Sequence, residues 1–372
     1  MTWETVPFDE AFTDVTSASP RIKQSEFAAT GLFPVRDQGE EDVAGYWSDE
    51  SFATRVTRPL ILFGDHTRRV KYAEQDFVVG ADGVKVLEPA PSLDPRFAFH
   101  WMCSVRVPSA GYSRHFKFLK YYRVPLPPLP EQRRIAAILD EADALRVRAS
   151  SQALALDELD DGMFEELLGS QVAQREWTLE DVLEDLRYGT SVKSGNTGVP
   201  VLRIPNVSGR AMNVLDLKTV DLSPAEVERL RLIDRDVLFV RSNGNPDVVG
   251  RCSAFSSIAR VSRHSASWVF ASYLIRGRLR EGVEPEAIVA LTRSPHGRRH
   301  LRSGAATSAG QYNINTSVLR TMPVFDPSSS KQRDYADFVR STADERRRIR
   351  GRARELDELF ASLQHRAFRG EL

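Results

Sequence analysis

Residues 125–146 read PLPPLPEQRRIAAILDEADALR, where a cluster of prolines runs directly into an amphipathic pattern. The prolines are Pro125, Pro127, Pro128 and Pro130. Each of them fixes φ and lacks a backbone N–H, so the chain is held extended ahead of any helix. The stretch therefore predicts a globular domain that ends in a strand and passes immediately into a long helix.

A degraded copy of the same stretch occurs 200 residues later, as MPVFDPSSSKQRDYADFV from residue 322. At that spacing Gln132-Arg133 aligns with Gln332-Arg333, and the word LDEL occurs at 156–159 and again at 356–359. Several matches in one frame indicate an internal duplication, in which one structural plan is used twice along the chain.

Both copies carry apolar residues at alternating steps of three and four, which is typical of a helix with a coiled-coil seam. The predicted seam of the first copy comprises Ile135, Ile138, Ala142, Leu145, Ala149, Gln152, Leu156, Leu159 and Met163. The predicted seam of the second copy comprises Tyr335, Phe338, Thr342, Glu345, Ile349, Arg352, Leu356, Leu359 and Leu363. Because the first helix is acidic and the second is rich in arginine, the two helices are expected to pair. Two separate surface helices, one on each domain, are the alternative.

Short β-type runs separated by glycine and proline fill the regions outside the helices. LILFGD (60–65) and FVVGADG (77–83) belong to the first region, and VPVLRIPNV (199–207) and DVLFVRSNG (236–244) to the second. The predicted fold class is α+β, with two mixed α/β domains joined by two long helices that form an antiparallel coiled coil. The predicted bounds are 1–124 for the first domain, 125–172 for the first helix, 173–322 for the second domain and 323–372 for the second helix.

The composition is that of an ordinary globular protein, with 41% hydrophobic and 27% charged residues among 372. We expect a cytoplasmic protein, because the sequence shows no secretory signal, no apolar run long enough to cross a membrane and no paired cysteines. The net charge of zero hides a basic segment, since residues 175–322 carry 21 basic and 15 acidic residues. A net charge of zero would by itself argue against nucleic-acid binding, but this local excess of positive charge is compatible with it.

The motifs of several enzyme classes are absent from the sequence. It contains no GxxxxGK[ST] phosphate loop, no GxGxxG, no HExxH, no CxxC and no Asn-Pro-Pro-Tyr or Asp-Pro-Pro-Tyr motif of methyltransferases. His296 and His300 have a metal-ligand spacing, but they lie in a basic stretch without a nearby acidic base. No part of the sequence therefore indicates a catalytic or metal site.

Five loops combine basic side chains, which can bind phosphates, with Asn, Gln, Ser or Thr, which can bind base edges. They are LFGDHTRRVKY (62–72), SAGYSRHFK (109–117), RYGTSVKSGN (187–196), FVRSNGNPDVVGR (239–251) and SPHGRRHLRSGAATSAGQYNIN (294–315). The candidate DNA-contacting residues are Asp65, His66, Thr67, Arg68, Lys71, Tyr112, Ser113, Arg114, Thr190, Ser191, Lys193, Arg241, Ser242, Asn243, Asn245, Gln311 and Asn313. Any single loop of this kind is typical of a solvated turn, but five loops on a duplicated scaffold favour DNA binding.

Taken together, these stretches resemble the DNA-specificity subunits of type I restriction–modification systems. PLPPLPEQRRIAAILDEADALR is similar to the junction of strand and helix in that family, and LDELFASLQHRAFRGEL to its terminal helix. FPVRDQGEEDVAGY and LFGDHTRRVKY in the first domain, and RYGTSVKS, VPVLRIPNV and DVLFVRSNGNPDVVGR in the second, add to the resemblance. It covers nearly the whole chain, in the order domain, helix, domain, helix.

The resemblance implies a non-catalytic subunit that binds double-stranded DNA. Each of its two target-recognition domains would read one half of a bipartite, asymmetric site, and the helices would set the gap between the halves. Two methyltransferase (modification) subunits would dock on the helices and supply S-adenosylmethionine and adenine-N6 methylation, so this chain would need no cofactor of its own. Motor-nuclease restriction subunits could join them. The implied partner-binding residues are Pro128, Pro130, Glu131, Gln132, Arg133, Gln332, Arg333 and Phe368.

Two other interpretations stay open on the sequence alone. The same recognition module could serve a different phage-defence or modification assembly, or the chain could be a protein–protein adaptor whose β-rich domains bind polypeptides. A stand-alone nuclease or methyltransferase is disfavoured, because the motifs of those enzymes are missing.

Overall fold

The computed structural model describes residues 3–80, 83–109, 111, 114–214, 216–256, 267–308 and 310–372. The chain divides into two compact units. The first unit consists of Met1–Ser151 together with Arg350–Leu372, and the second unit of Gln152–Ile349. Each unit therefore combines one β-rich region with segments of both predicted helices.

The first unit contains two antiparallel arrangements of strands and one mixed sheet. Its strands are β1 (Thr5–Pro7), β2 (Phe12–Asp14), β3 (Arg21–Ile22), β4 (Phe33–Arg36), β5 (Gly45–Trp47), β6 (Ala53–Thr54), β7 (Leu60–Gly64), β8 (Val70–Ala73), β9 (Phe77–Gly80), β10 (Val84–Pro89) and β11 (Arg123–Pro125). Its helices are α1 (Phe8–Ala11), α2 (Pro95–Ser104), α3 (Phe116–Leu119) and the first part of α4 (Leu129–Phe164). β1 pairs with β11, a four-stranded sheet has the order β2–β10–β7–β8, and the mixed sheet has the order β3–β9–β4–β5 with β6 on β9.

The second unit repeats this plan and extends it. Its strands are β12 (Trp177–Thr178), β13 (Leu183–Tyr188), β14 (Val199–Leu202), β15 (Lys218–Val220), β16 (Val237–Val240), β17 (Ser242–Asn243), β18 (Cys252–Ala254), β19 (Val269–Phe270), β20 (Leu274–Leu279), β21 (Ala306–Ser308), β22 (Gln311–Asn313) and β23 (Pro323–Val324). Its helices are α5 (Ser170–Gln174), α6 (Ile204–Val207), α7 (Pro224–Leu230), α8 (Pro285–Leu291), α9 (Pro295–Gly304), α10 (Thr316–Arg320), α11 (Lys331–Ser341) and the first part of α12 (Ala343–Ala367).

The strand order shows the duplication directly. β12 pairs with β23 as β1 pairs with β11, and the sheet β13–β20–β16–β18 has the same connectivity as β2–β10–β7–β8. A small sheet, β17–β22–β21, is an addition of the second unit among the described residues. The internal repeat predicted from the helix sequences therefore extends through the β-rich regions, where the side chains have diverged.

The start of α4 follows from the prolines. β11 ends at Pro125, and α4 begins at Leu129, so Pro130 occupies the second helical position. The N–H of that position would have no partner inside the helix, so proline costs little there. A π-helical turn at Glu165–Gly169 and α5 continue the helical path to Gln174, slightly beyond the predicted end at 172.

The second helix of the pair is interrupted, which the sequence did not predict. α11 ends at Ser341 and α12 begins at Ala343, with Thr342 between them at φ −94° and ψ −1°. The Thr342 hydroxyl donates to the carbonyl of Phe338 at 3.0 Å, inside the preceding turn. A hydroxyl that bonds back in this way competes with the helical hydrogen bonds and bends the helix.

The helices pair in antiparallel fashion in both units. In the first unit, Arg134 Nη2 lies 3.0 Å from the carbonyl of Leu372, and Arg146 Nη1 lies 3.6 Å from Asp357 Oδ1. Residue numbers thus rise along α4 while they fall along its partner. In the second unit, Arg346 donates to the carbonyl of Leu156 at 3.2 Å, and the rings of Phe164 and Tyr335 are 5.7 Å apart. The predicted α+β fold with two antiparallel long helices is confirmed.

The seam between the helices runs one residue away from the predicted line in places. The side chains of Leu145 and Leu159 are 40% and 50% exposed. The predicted seam residues Gln152, Glu345, Arg352 and Leu359 are exposed as well. A straight α-helix has 3.6 residues per turn, so it drifts by about 20° per heptad from a strict heptad repeat. Over four heptads the drift approaches one residue, which moves Asp160 and Arg346 into the buried positions.

Gln132 and Gln332 form the same joint in the two units. The side-chain oxygen of Gln132 accepts the N–H of Asp94 at 2.7 Å, and its nitrogen donates to the carbonyl of Pro127 at 2.8 Å. The side-chain oxygen of Gln332 accepts the N–H of Glu284 at 3.0 Å, and its nitrogen donates to the carbonyl of Pro327. Both glutamines are buried, and each ties a helix of the β-rich region to the start of a long helix.

An ion pair beside each joint has opposite polarity in the two units. In the first unit Arg96 of α2 binds Asp140 of α4, with Nε 3.0 and 3.1 Å from the two carboxylate oxygens. In the second unit Glu286 of α8 binds Arg340 of α11, at 2.9 and 3.0 Å. A β-rich region joined to the other copy's helix would place like charges opposite each other, which disfavours the exchanged pairing.

Replacing either glutamine should loosen one joint and spare the other. We expect Gln132→Leu to leave the buried N–H of Asp94 without an acceptor, at a cost of about 1–3 kcal/mol, and Gln332→Leu to do the same at Glu284. Hydrogen exchange would then quicken at α2 in the first variant and at α8 in the second. Equal acceleration at both helices in either variant would contradict the assignment of one joint to each unit.

The buried pair Asp160–Arg346 should stabilise the second unit far more than an exposed pair of the same type. Asp160 and Arg346 are 3% and 6% exposed, whereas both side chains of the Asp344–Arg347 pair are 72% exposed. We expect Asp160→Asn to cost about 3–5 kcal/mol, because it leaves an arginine buried without its partner. Asp344→Asn, the matched control, should change little. Amide exchange of residues 152–164 is the measurement, and equal effects of the two substitutions would refute the prediction.

Candidate nucleic-acid interface

The turn between β7 and β8 is the first candidate loop, and it is held from both sides. The N–H of Asp65 donates to the carbonyl of Gly83 at 2.6 Å, and its carbonyl accepts the N–H of His115 at 2.8 Å. The buried carboxylate of Asp65 accepts the N–H of Phe116 at 2.7 Å. The structure thus brings the predicted segments 62–72 and 109–117 together, with Asp65 as the link.

The side chains of that turn divide into supporting and exposed groups. Lys71 is buried beside Asp37 at 3.4 Å, so it stabilises the domain interior. Thr67 donates its hydroxyl to the carbonyl of Gln38 at 2.8 Å, and Arg68 donates to the carbonyl of Val107 at 3.0 Å. Thr67, Arg68 and Arg114 are exposed, and His66 is half-buried. Tyr112 and Ser113 lie outside the described residues.

Arg241 occupies the backbone position in the second unit that Asp65 occupies in the first. The N–H of Arg241 donates to the carbonyl of Tyr273 at 2.9 Å, and its carbonyl accepts the N–H of Ile314 at 3.0 Å. Gly83 and Tyr273 directly precede the equivalent strands β10 and β20, which establishes the correspondence. One scaffold position therefore carries a carboxylate in one unit and a guanidinium in the other.

Arg241 contacts the ring of one tyrosine and the backbone carbonyl of another. Its guanidinium lies 4.9 Å from the centre of the Tyr188 ring, at the end of β13. Tyr273 contributes a side chain that is 60% exposed. A guanidinium stacked on an aromatic ring loses less conformational freedom when it binds a partner. Sequence reasoning missed both tyrosines; Tyr188 belongs to the quoted stretch RYGTSVKSGN, where only polar and basic residues were considered.

The remaining candidates of the second unit lie on the small sheet and the adjoining turn. Ser242 pairs with Asn313 across β17 and β22, and its hydroxyl donates to the side-chain oxygen of Gln311 at 3.0 Å. Asn243 accepts the N–H of Asn245 on its side-chain oxygen at 2.8 Å, a turn that fixes the loop. The predicted segments 239–251 and 294–315 therefore meet, and Arg241, Ser242, Gln311 and Asn313 share one edge of the domain.

The loop that carries Lys193 is anchored at its base. Thr190 is buried, its N–H donates to the carbonyl of Phe270 at 2.9 Å, and its hydroxyl accepts the N–H of Val192 at 3.1 Å. Gly189 approaches the same strand so closely that a Cβ would lie 2.2 Å from the carbonyl oxygen of Phe270. Thr190 therefore supports the loop, while Ser191 and Lys193 are exposed.

Residues 2–154 match the family model described as the type I restriction modification DNA specificity domain. The N-terminal part of this chain is therefore similar to such a specificity domain. Two curated relatives extend the likeness: the EcoKI specificity subunit of Escherichia coli (strain K12), 26% identical over 278 residues, and the StySPI specificity subunit of Salmonella potsdam, 23% identical over 277. Each match covers 67% of this chain and 57% of the relative, so the chain spans a little over half the length of these proteins.

A solved structure shows the same fold as the whole chain. It is a crystal structure of a type I restriction–modification system S subunit from M. genitalium, with a TM-score of 0.56 at 14% sequence identity. The match covers 99% of this chain and 96% of that one. The two units thus follow the order of domain, helix, domain, helix that the sequence resemblance implied, and the predicted fold is confirmed.

The predicted partner-binding residues fall into two groups. Gln132 and Gln332 are buried in the joints, and Phe368 is half-buried with its ring 5.3 Å from that of Phe97. Each of these side chains makes its contacts inside its own unit, and the burial of the two glutamines leaves them no exposed surface for a partner to contact. The exposed candidates are Pro128, Pro130, Arg133 and Arg333, with Glu131 half-buried beside Arg134.

Within the described residues, no three or more His, Cys, Asp or Glu side chains are grouped so as to hold a metal ion. None of the helices in that part of the chain combines the length and apolarity needed to cross a bilayer.

Proposed function

We propose that this chain is the non-catalytic, DNA-reading subunit of a type I restriction–modification assembly. Each unit would read one half of a bipartite, asymmetric site in double-stranded DNA. The family match and the two curated relatives support this proposal, because both relatives bear the name of specificity subunits of type I restriction enzymes.

The observation that carries the proposal is the correspondence of Asp65 and Arg241. The backbone hydrogen bonds around these two residues are the same, while their side chains differ in charge and length. The carboxylate of Asp65 turns inward and holds the turn, whereas the guanidinium of Arg241 lies over the Tyr188 ring. One backbone turn can thus present different donors and acceptors in the two units, as two readers of unlike half-sites require.

The side chains proposed to contact DNA are the candidates that the structure leaves at the surface. In the second unit, Arg241, Asn243 and Gln311 would bind base edges, and Lys193 would bind phosphate. In the first unit, Thr67, Arg68 and Arg114 would take part. The candidates Tyr112 and Ser113 remain predictions. Asp65, Lys71 and Thr190 would act indirectly, by fixing the loops that carry the others.

The long helices would set the gap between the two half-sites and dock the partner subunits. α4 has 36 residues, which at ~1.5 Å per residue gives about 54 Å, more than the roughly 34–36 Å that separates half-sites one DNA turn apart. Two modification subunits would bind near the helix starts, through Pro128, Pro130, Glu131, Arg133 and Arg333. They would bring S-adenosylmethionine and the methylation chemistry. Restriction subunits could join them, in the cytoplasm.

Removing two positive charges of the second unit should have different consequences. We expect Arg241→Ala to relax base choice at a position in one half-site, by ~1–3 kcal/mol, because a bidentate contact to a base edge would be lost. Lys193→Ala should weaken binding to every sequence and reduce the salt dependence of binding. Methylome sequencing of cells that express each variant with its partner subunits would measure the first effect, and duplex titrations at several salt concentrations the second.

The two variants also test the competing interpretations. If Arg241→Ala leaves the methylated sequence unchanged in both half-sites, Arg241 is no base reader. If the wild-type chain, with its partner subunits, fails to select any sequence from genomic fragments in a gel shift, the DNA-reading proposal fails and the adaptor interpretation gains.

A further inference from the structure

A polar cavity of about 450 Å³ lies in the second unit, and none of its lining residues is among those proposed to read bases. Five of its lining residues are arginines: Arg210, Arg251, Arg293, Arg298 and Arg302. Arg210 lies in the loop after α6, and Arg251 directly precedes β18. Arg293 lies just before α9, and Arg298 and Arg302 lie on α9. Five guanidinium groups around one small space are costly unless negative charge lies among them.

Carboxylates neutralise two of the five. Arg210 binds the carboxylates of α4, with Nη2 2.5 Å from Asp161 Oδ1 and Nε 3.3 Å from Asp157 Oδ1. Arg302 binds Asp247, with Nε 3.0 Å from Oδ1. Glu158 also lines the cavity and is exposed.

The other three arginines have no such partner in the described part of the chain. No ion pair within 4.0 Å joins Arg251, Arg293 or Arg298 to a carboxylate there. Arg298 donates to the carbonyls of Pro246 and Val249, both at 2.8 Å, and Arg293 donates to the carbonyl of Ser208 at 3.3 Å. The Nε atoms of Arg251 and Arg293 are buried and make no hydrogen bond to any described residue.

The three charges also disfavour one another. Burial, together with the nearby positive charges of Arg210 and Arg251, lowers the pKa of Arg293 to about 10. Burial and the charge of Arg251 likewise lower the pKa of Arg298. Arg293 still carries its charge near neutral pH. The cavity is lined by five arginines and four carboxylates (Asp157, Glu158, Asp161 and Asp247), so one net positive charge remains that an anion would relieve.

We propose that this cavity binds a phosphate group through Arg251, Arg293 and Arg298. Guanidinium groups match tetrahedral oxyanions well, because each presents two parallel N–H donors to two oxygens. Arg251 and Arg293 can bind several oxygens of one phosphate at once. Arg298, whose Nη1 donates to the carbonyls of Val249 and Thr292 and whose Nη2 donates to that of Pro246, contributes mainly its charge. The cavity volume leaves room for the remainder of a phosphate ester, which a site built only for chloride would not need.

The phosphate has two possible sources with the same chemistry. Arg298 fixes the carbonyls of Pro246 and Val249, so the cavity adjoins the turn that carries Asn243 and Asn245. A backbone phosphate of DNA bound by the proposed reading loop is one source, and only this source rests on the proposed function. A free phosphate or small phosphate ester is the other.

The test uses the full chain and inorganic phosphate as the probe. Calorimetric titration with sodium phosphate, at an ionic strength held constant with sodium chloride, should show one site. Arg251→Gln should weaken it roughly tenfold, because a charge-assisted hydrogen-bond donor is lost. The matched control Arg299→Gln removes an exposed arginine of α9 that does not line the cavity and should leave the affinity unchanged. Glu158→Gln removes a lining carboxylate and should tighten binding.

A second titration separates the sources. If Arg251→Gln weakens binding of duplexes of unrelated sequence equally, and free phosphate competes with them, the DNA backbone is the source. If the variant loses phosphate but binds duplex like the wild type, a free phosphate is the source. Absence of duplex binding by the wild type together with its partner subunits, with phosphate binding intact, would overturn the proposed function and leave this site standing. Phosphate that binds no better than chloride, or equal losses in Arg251→Gln and Arg299→Gln, would overturn the site itself.

Discussion

The joint between each β-rich region and its long helix is the interaction on which the rest of the structure depends. A buried glutamine spans the N-terminus of a short helix and a proline carbonyl, and it appears at Gln132 and again at Gln332. A glutamine side chain suits this place because its amide offers an acceptor and donors in one plane, which satisfies buried backbone groups on two sides. The ion pairs Arg96–Asp140 and Glu286–Arg340 flank the joints with reversed polarity. Duplication would make the two joints interchangeable, and the reversal gives each region a preferred helix.

Above the joints, the two units keep the backbone and change the side chains. The sheet β2–β10–β7–β8 and its counterpart β13–β20–β16–β18 place a turn at the same point, held by equivalent main-chain hydrogen bonds. Asp65 turns its carboxylate inward to Phe116, while Arg241 stacks on Tyr188. A scaffold of this kind lets recognition diverge without loss of stability, because the turn is fixed by backbone groups that every residue has.

Much of the architecture followed from the sequence, because prolines and apolar periodicity act locally. The passage from strand to long helix at the proline cluster and the duplication were predicted in this way, although α4 begins at Leu129 and not at the predicted residue 125. The break at Thr342 and the shift of the seam to Asp160 and Arg346 were not predicted. The break depends on whether the Thr342 hydroxyl bonds to a backbone carbonyl, and the shift depends on a helical drift that accumulates over four heptads. Gln132 and Gln332 were found as part of the repeated Gln-Arg pair but were predicted to bind a partner subunit. Sequence spacing does not reveal which backbone groups a buried polar side chain hydrogen-bonds.

The candidate interface was predictable only at the level of loops. Sequence composition found the segments that meet around Asp65 and around Arg241, yet it could not separate Lys71 and Thr190, which are buried, from Lys193, which is exposed. The cluster of Arg251, Arg293 and Arg298 escaped notice, because its members come together only in the folded second unit.

The most direct test of the account is an exchange of the two β-rich regions. Residues 3–124 and 175–322 would trade places on their helices, with Arg96→Glu and Glu286→Arg introduced so that each ion pair keeps opposite charges. Because the joints are equivalent and the helices antiparallel, the exchange only changes which strand each reader meets. Methylome sequencing of cells that express this chain with its partner subunits should therefore give the same methylated duplex, with both half-sites and the gap unchanged. A different half-site, a changed gap or a loss of methylation by the folded chain would contradict the claim that two equivalent joints carry two independent readers.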